Sequence, residues 1–293
     1  MAGFFNNTLM LKLVECPRDA MQGITEFIDT SKKVEYINTL MQAGFHTIDA
    51  GSFVSAKAIP QMHDSANVFK QLNIEKNNTK LLAIVANLRG AHDAVSFDEI
   101  SYLGFPFSIS ETFQQRNTNS SIDESLHRVE EIQNLCFKKN KQLVIYISMA
   151  FGNPYNEDWN ADLAIYWCKK LAQLDIKIMP LSDTIGVSNP ENISYLFSHL
   201  IPALPNVEFG AHLHSTPETA LEKIEAAYKS GCRRFDSAIH GFGGCPMATD
   251  DLTGNLATET LVGYFDENNI KTNLNKDVLE EAYKMAWNVF PKH

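Results

Sequence analysis

Two histidines separated by a single residue follow an apolar run, and they are the residues of this sequence best placed to do chemistry. His212 and His214 follow the strand-like segment 207–210. Residues two apart on a strand point to the same side, so both imidazoles are expected to face one point. Imidazoles that converge in this way are typical metal ligands, although a hydrogen-bonded pair of structural histidines would have the same spacing.

A carboxylate that follows another predicted strand, and an amide near the C-terminal end of the chain, complete a candidate metal site. Asp19 follows the apolar run 9–14, and Asn255 lies in the segment 254–259. Their oxygens and the two imidazole nitrogens form a mixed set that suits Mg²⁺ or Mn²⁺ better than a thiolate-rich zinc site, and zinc remains an alternative. Coordination positions left open to substrate oxygens and water would make the cation catalytic.

Arg18 and Cys245 are the candidate reactive residues beside this set. A guanidinium at such a site can polarise a carbonyl or stabilise an enolate, whereas the alternative is an ordinary ion-paired arginine. Cys245 lies in the glycine-rich segment 241–246, where the backbone can bend and bring the thiol to a ligand. Its alternative is a small buried hydrophobe, which is what we expect of the four other cysteines, Cys16, Cys136, Cys168 and Cys232.

Short apolar runs alternate with amphipathic stretches along the whole chain, which indicates repeated βα units and a parallel sheet. We count eight such units and no linker between them. The predicted strands span 8–15, 45–50, 80–85, 99–105, 142–148, 177–181, 207–212 and 234–239. The predicted helices span 32–43, 59–72, 91–96, 123–138, 158–174, 190–200, 218–230 and 258–264, and a final amphipathic segment spans 277–289.

These units predict an α/β fold, a closed TIM (β/α)₈ barrel with an additional C-terminal helix that packs on its outside or caps one end. We expect residues 1–293 to form a single domain. Active sites of such barrels lie at the C-terminal ends of the strands. The candidate residues follow that rule, because each ends or follows a predicted strand: Arg18, Asp19, Asp49, Asn87, Asp183, His212, His214 and Cys245.

Composition excludes several classes of protein. The chain is 44% hydrophobic and 20% charged, and its apolar runs fall short of the roughly 20 residues that span a bilayer. A net charge of −10 without a basic stripe argues against nucleic acid as a partner. An odd number of cysteines without Cys-x-x-Cys spacing argues for reduced thiols. The first residues lack the features of a secretory or transit peptide, so we expect a cytoplasmic protein.

Several motifs of the chain resemble those of 3-hydroxy-3-methylglutaryl-CoA lyases, within a larger group of metal-dependent barrel lyases and condensing enzymes. The resemblance covers almost the whole chain. Its most specific parts are Gly243-Gly244-Cys245-Pro246 and the segment 254–259, followed by 182–186 and by 52–55 with 60–62. The glycine-cysteine loop separates these lyases from their condensing relatives.

The resemblance implies a role for each candidate residue. It implies that the divalent cation is held by Asp19, His212, His214 and Asn255. It implies that Arg18 polarises the substrate, that Cys245 donates or shuttles a proton, that Asp183 belongs to the catalytic group, and that the substrate is contacted by Gln22, Asp49, Ser52 and Asn87. Asp49 stands where the family has a glutamate, and Gly23-Ile24-Thr25 replaces a family segment whose lysine helps to hold CoA.

The implied reaction is a metal-dependent retro-Claisen cleavage of 3-hydroxy-3-methylglutaryl-CoA in leucine breakdown. The C3 hydroxyl loses its proton, the C2–C3 bond breaks, acetoacetate leaves, and the acetyl-CoA enolate is stabilised by Arg18 and protonated with the help of Cys245. One alternative is a lyase or aldolase acting on another 3-hydroxyacyl-CoA or a hydroxy-oxo acid. Another is a catalytically silent barrel that binds partners. The oligomeric state stays open, with a homodimer as one option.

Overall fold

Eight parallel strands close into a barrel in the computed structural model, which describes residues 10–75, 78–244 and 253–290. The strands follow one another around the barrel in chain order, and β8 pairs with β1. They are β1 Lys12–Glu15, β2 Thr47–Ser52, β3 Lys80–Ile84, β4 Ile100–Ser108, β5 Gln142–Ser148, β6 Ile178–Asp183, β7 Glu208–Leu213 and β8 Arg234–Ser237.

Helices surround the strands, so the predicted TIM barrel with an additional C-terminal helix is confirmed. They are α1 Pro17–Gln22, α2 Thr30–Ala43, α3 Ser65–Gln71, α4 Leu88–Ala94, α5 Glu111–Thr118, α6 Ile122–Lys138, α7 Ala161–Gln173, α8 Pro190–Ala203, α9 Pro217–Lys229, α10 Thr258–Glu267 and α11 Lys276–Val289. Short 3₁₀ helices span Pro60–Met62 and Ile239–Gly241.

The structure corrects the prediction in three places. The single helix expected over 59–72 is a 3₁₀ turn followed by the shorter α3, because Pro60 begins the turn and Asp64 precedes the helix. Neither α1 nor α5 was predicted. Both are shorter than the stretch over which an apolar periodicity can be recognised, and both begin directly after a strand.

Local signals fix the ends of the longer helices. Ser121 accepts a hydrogen bond from the Glu124 backbone N–H, and the Glu124 side chain accepts one from the Ser121 N–H, which forms a capping box at the start of α6. Asn189 caps α8 just before Pro190. Gly44 ends α2 with φ +90°, a left-handed conformation that glycine adopts without strain.

Most of the apolar core lies between the strands and the outer helices, and a smaller apolar cluster fills the inside of the barrel. Its members occupy alternate positions of β3 to β6 and therefore face away from the helices. They are Leu82, Ile84, Tyr102, Val144, Tyr146 and Ile178. Arg234 joins them from β8 and is fully buried. Its Cδ would lie 3.0 Å from a Cβ at position 210, so Gly210 gives it room.

The C-terminal helix α11 packs against α2 on the outside of the barrel. This is the first of the two placements predicted from the sequence. The ring of Phe290 meets Tyr36 of α2 edge to face at 5.8 Å between centroids. Asn275 begins α11, and its backbone N–H donates to the carbonyl of Ala43. Within residues 10–75, 78–244 and 253–290, no helix is long and apolar enough to cross a membrane.

Candidate active site

A cavity of about 270 Å³ lies at the C-terminal ends of the strands. Its charged and polar lining includes Arg18, Asp19, Gln22, His212 and His214. Its apolar lining is formed by Val54, Ala58, Ile59, Ile84, Ala86, Pro106 and Phe113. Five of the candidate residues predicted at this rim therefore line one cavity in the structure.

Asp19, His212 and His214 lie together as a candidate metal site. One ligand atom from each of them lies within 4.8 Å of the others. Asp19 belongs to α1, whose Pro17 starts the helix directly after β1 and so turns the carboxylate back over the barrel mouth. The donor set of one carboxylate and two imidazoles fits a divalent cation with open coordination positions.

Asn255 joins this group from the segment before α10. Residues His214 and Asn255 form an isolated antiparallel bridge, which brings the two strand ends together. The Asn255 amide Nδ2 donates to Asp19 Oδ2 at 2.8 Å and to the carbonyl of Phe242 at 2.9 Å. Both amide protons are therefore in use, and the amide oxygen is left as the group that could bind a cation.

Burial and neighbouring charges hold two of these groups in the protonation state that binds a cation. Burial, together with the charge of His212, lowers the pKa of His214 to about 4, so this imidazole is neutral at physiological pH. Burial alone would raise the pKa of Asp19, but the charges of Arg18 and His212 outweigh it and lower the pKa. A neutral imidazole and an ionised carboxylate are the ligand forms.

Asp236 orients His212 from the neighbouring strand. The two residues are register partners on β7 and β8, so their side chains share a face. His212 Nδ1 lies 3.2 Å from Asp236 Oδ2, which leaves Nε2 for a cation. Burial lowers the pKa of His212, but the hydrogen bond to Asp236 and the charges of Asp236 and Asp19 raise it above its usual value.

Gly243 allows the glycine-rich loop to approach the site closely. Its φ is +93°, and a Cβ at this position would lie 2.8 Å from Ala20 Cα and from Asn255 Nδ2. Both the conformation and the space require glycine. Cys245, the candidate proton donor two residues further on, lies outside the described residues.

Arg18 is fixed in the cavity wall by three hydrogen bonds. Its Nε and Nη2 donate to Asp49 Oδ2, and its Nη1 donates to Gln22 Oε1 at 2.8 Å. Burial lowers the pKa of Arg18, but the charges of Asp49 and Asp19 outweigh it, so the net shift is upward and the guanidinium stays charged. Asp49, predicted to contact substrate, is fully buried beneath it.

Three other candidate residues are not among those that line the cavity. Asp183 accepts hydrogen bonds from Ser188 and from the buried ammonium of Lys223, which also donates to the backbone carbonyl of His214. Asn87 caps α4 by accepting from the Gly90 N–H. The Ser52 hydroxyl accepts from the Val54 N–H. These polar atoms are used in local hydrogen bonds, and those of Asp183 extend through Lys223 to the backbone of His214.

Several residues of the cavity were not predicted. Arg116 and Asn117 of α5, Tyr146 and Ser148 of β5, and Ser182 and Thr184 around the end of β6 all line it. The sequence did contain a pattern that could have identified Asp236 as a site residue. Arg234 and Asp236 are charged residues two apart within an apolar strand. Alternation of that kind places both side chains on one face.

A larger hollow of about 1040 Å³ lies at the opposite end of the barrel, where the strands begin. Residues Leu11, His46 and Asn273 are among those that line it. Neither of the two clusters of metal-binding side chains found among the described residues lies there. We therefore assign the chemistry to the smaller cavity at the C-terminal ends.

An eight-stranded barrel with a carboxylate, two imidazoles and a fixed arginine at its C-terminal rim defines a class of barrel enzymes built around a divalent cation. The chain belongs to the HMGL-like family, whose model matches residues 12–285. It is 35% identical over 268 residues to the hydroxymethylglutaryl-CoA lyase YngG of Bacillus subtilis, covering 92% of this chain and 89% of that protein.

Two further relatives agree with this assignment. The chain is 32% identical over 273 residues to the 3-hydroxy-3-isohexenylglutaryl-CoA/hydroxy-methylglutaryl-CoA lyase of Pseudomonas aeruginosa, covering 93% of this chain and 90% of that protein. A solved HMG-CoA lyase from Acinetobacter baumannii, in complex with coenzyme A and 3-methylmalate, superposes with a TM-score of 0.90 at 31% identity. It covers 99% of this chain and 93% of that one. The resemblance to HMG-CoA lyases noted from the motifs is thus confirmed.

Proposed function

We propose that this protein is a hydroxymethylglutaryl-CoA lyase, which cleaves 3-hydroxy-3-methylglutaryl-CoA to acetyl-CoA and acetoacetate. The observation that carries the proposal is the convergence of Asp19, His212 and His214 beside the fixed guanidinium of Arg18 in one cavity. Membership of the HMGL-like family supports it. A catalytically silent barrel would have no need for this convergence of buried charged groups.

Asp19, His212, His214 and Asn255 are the residues that would hold a divalent cation, and Mg²⁺ or Mn²⁺ matches their nitrogen and oxygen donors. Such a cation, when bound, supplies Lewis-acid activation of substrate oxygens. Asp236 would keep the His212 ring in the orientation that presents Nε2, because its carboxylate lies 3.2 Å from Nδ1.

Arg18 would stabilise the negative charge that develops on the thioester oxygen as the C2–C3 bond breaks. Its contacts with Asp49 and Gln22 hold the guanidinium before the substrate arrives, and a preorganised charge costs little reorganisation during the reaction. Two of its five N–H groups take no part in these three hydrogen bonds, although Nη1 also lies 3.2 Å from Asp19 Oδ1. Asp49 would thus position Arg18 rather than contact the substrate itself.

Cys245 is the residue that we propose as proton donor to the acetyl-CoA enolate. It follows Gly243 and Gly244 in a loop whose described part already touches Asn255 and Ala20. A thiol is a stronger acid than a serine hydroxyl, so it gives up a proton to a carbanion more readily. For Asp183 we propose a positioning role through Lys223 and the His214 carbonyl.

The acyl-CoA substrate would enter past α5. Arg116 lines the cavity and is exposed, and its guanidinium lies 4.9 Å from the ring centroid of Tyr155. A charged arginine at the mouth suits the phosphates of CoA. The similarity to the Acinetobacter baumannii lyase, which is in complex with coenzyme A, supports an acyl-CoA as the substrate. We place the reaction in leucine catabolism and the protein in the cytoplasm.

The apolar residues that line the cavity favour a second substrate. They include Val54, Ile59, Ile84, Pro106 and Phe113. A C3 substituent larger than methyl would bury additional apolar surface there. The Pseudomonas aeruginosa relative named for an isohexenyl substrate supports this alternative.

The test is product analysis with purified protein and Mg²⁺. Incubation with 3-hydroxy-3-methylglutaryl-CoA should yield equal amounts of acetyl-CoA and acetoacetate. The same assay with 3-hydroxyacyl-CoA thioesters of increasing C3 chain length ranks kcat/KM and separates the two substrates. A metal-loaded, folded protein that cleaves none of them would contradict the proposal.

A further inference from the structure

His212 belongs to a second cluster of metal-binding side chains besides the one at the cavity. Cys16, His212 and Asp236 each offer one ligand atom, and these atoms lie within 4.8 Å of one another. Cys16 follows β1 directly and precedes α1, so it reaches the cluster from the strand next to β8. Cys16 and Asp236 are buried, with 1% and 2% exposure.

Asp236 has an oxygen that the protein leaves without a hydrogen bond. Its Oδ2 faces His212 Nδ1, whereas the buried Oδ1 has no hydrogen-bond partner among the described residues. Oδ1 is ion-paired with Arg234, whose Nε lies 3.9 Å away, beyond hydrogen-bond distance. A buried carboxylate oxygen without a donor is costly, and a cation beside it would remove that cost.

The charges around Cys16 also favour a cation. Three aspartate carboxylates act on its thiol, those of Asp236, Asp49 and Asp19. They come from β8, β2 and α1 and so face it from several sides. The opposing charges are Arg18, which is paired with Asp49, and Arg234, which is paired with Glu208 and also faces Asp236.

We propose that Cys16, His212 and Asp236 form a second cation site that takes a soft divalent cation, Zn²⁺ or Cd²⁺, and competes with the catalytic site for His212. One sulfur, one imidazole nitrogen and one carboxylate oxygen are the donors that Zn²⁺ binds, whereas Mg²⁺ and Mn²⁺ prefer oxygen. Binding forms a bond from the cation to the Cys16 sulfur and releases the thiol proton to solvent.

Competition follows from the chemistry of one imidazole ring. A neutral imidazole has one nitrogen with a free lone pair and one that carries a proton. When Nδ1 binds the soft cation, Nε2 carries the proton and is lost to the catalytic site. This step rests on the proposed function, because it treats His212 as a ligand of the catalytic cation. The soft site itself does not depend on that role.

The first experiment measures Cd²⁺ binding by the ultraviolet charge-transfer absorption of a cadmium thiolate. All proteins carry Cys245→Ser, which removes the thiol of the glycine-rich loop. We expect a band that saturates at one equivalent of Cd²⁺ in this parent and in a Cys168→Ala control, whose altered cysteine is buried in α7. Cys16→Ala should lose the band and bind Cd²⁺ at least about 10-fold more weakly.

Cys16→Ser is the control for a packing defect, because it keeps the approximate size of the side chain and removes only the sulfur ligand. It should lose the band while its circular dichroism matches that of the parent. A band that persists in Cys16→Ala or in Cys16→Ser overturns the proposal. So does a parent protein that shows no band at saturating Cd²⁺.

The second experiment follows competition by electron paramagnetic resonance of Mn²⁺. One equivalent of Cd²⁺ should release bound Mn²⁺ from the parent. Release from Cys16→Ala should require a Cd²⁺ concentration at least about 10-fold higher. Mn²⁺ that stays bound in the parent would overturn the competition. Neither measurement requires turnover, so a protein without lyase activity that shows the band would still support the soft-cation site.

Discussion

Asp49 Oδ2 accepts two hydrogen bonds from the guanidinium of Arg18, one of them from Nε at 2.9 Å. Asp49 is fully buried, and Arg18 is 8% exposed. Because one carboxylate oxygen holds both Nε and Nη2, the plane of the guanidinium is fixed from behind. Its remaining N–H groups therefore keep one direction, toward the cavity that also contains Asp19.

Replacement of Arg18 tests the role of that fixed charge. We expect Arg18→Gln to lower kcat by on the order of 10² to 10³-fold with a smaller change in KM, because the charge acts on the developing enolate rather than on the ground-state thioester. Steady-state kinetics with 3-hydroxy-3-methylglutaryl-CoA measures both. Arg89→Gln, at an exposed position of α4, is the matched control. A rise in KM alone would assign Arg18 to substrate binding.

Removal of one imidazole tests the candidate metal site. His214→Ala should bind Mn²⁺ at least about 10-fold more weakly. Loss of a metal ligand should lower the metal affinity at least as much as loss of a residue that hydrogen-bonds to a ligand. Titration followed by electron paramagnetic resonance measures the affinity. His92→Ala, at an exposed position of α4, is the control. Equal Mn²⁺ affinity in His214→Ala and in the unaltered protein would exclude His214 as a ligand.

The part of the site that could be predicted is the part that depends on a short spacing. His212 and His214 alternate on one strand, so their convergence follows from the period of a strand. The barrel then brings Asp19 to them, because the C-terminal ends of parallel strands share a rim. The sequence could not supply the contacts that depend on register between distant segments, such as that between Asp236 and His212.

Three candidate residues do not line the cavity, one predicted as catalytic and two as substrate contacts, and a common physical reason applies to them. Asp183, Ser52 and Asn87 all follow or end strands, but each lies beside a backbone N–H or an ammonium that needs an acceptor. A buried donor without a partner costs free energy, so these side-chain oxygens are used within the protein. Position at the end of a strand therefore does not by itself place a side chain in the lining of the cavity.

Replacement of Cys245 distinguishes a role in proton transfer from a structural role of its thiol. Cys245→Ala should lose on the order of 10² to 10⁴-fold in turnover while it retains Mn²⁺ binding, because a general acid contributes in that range. Cys245→Ser should restore the activity only in part, since a hydroxyl is a weaker acid. Cys136→Ala, a buried cysteine of α6, is the control. Normal turnover by a well-folded Cys245→Ala protein would remove the thiol from the mechanism.

Glu15 gives the protein a component of stability that depends on pH. Its Oε1 accepts from the Ile239 N–H at 2.8 Å, and its Oε2 accepts from the Thr258 hydroxyl at 2.6 Å. Burial, only partly offset by these hydrogen bonds, raises its pKa from 4.5 to about 8. Between these values the folded protein holds a proton that the unfolded chain has lost. Stability contributed by this group therefore falls as pH rises through that window and is level above it.

Glu15→Gln removes this titration, so the variant should gain stability relative to the unaltered protein as pH rises from about 5 to about 8. The difference in free energy of unfolding should grow by at most about 1.4 kcal/mol per pH unit. Urea unfolding of metal-free protein at several pH values measures it, and Glu130→Gln, at an exposed position of α6, should show no such slope. A difference that is constant with pH would mean that Glu15 is ionised in the folded protein and that its hydrogen bonds with Ile239 and Thr258 outweigh its burial.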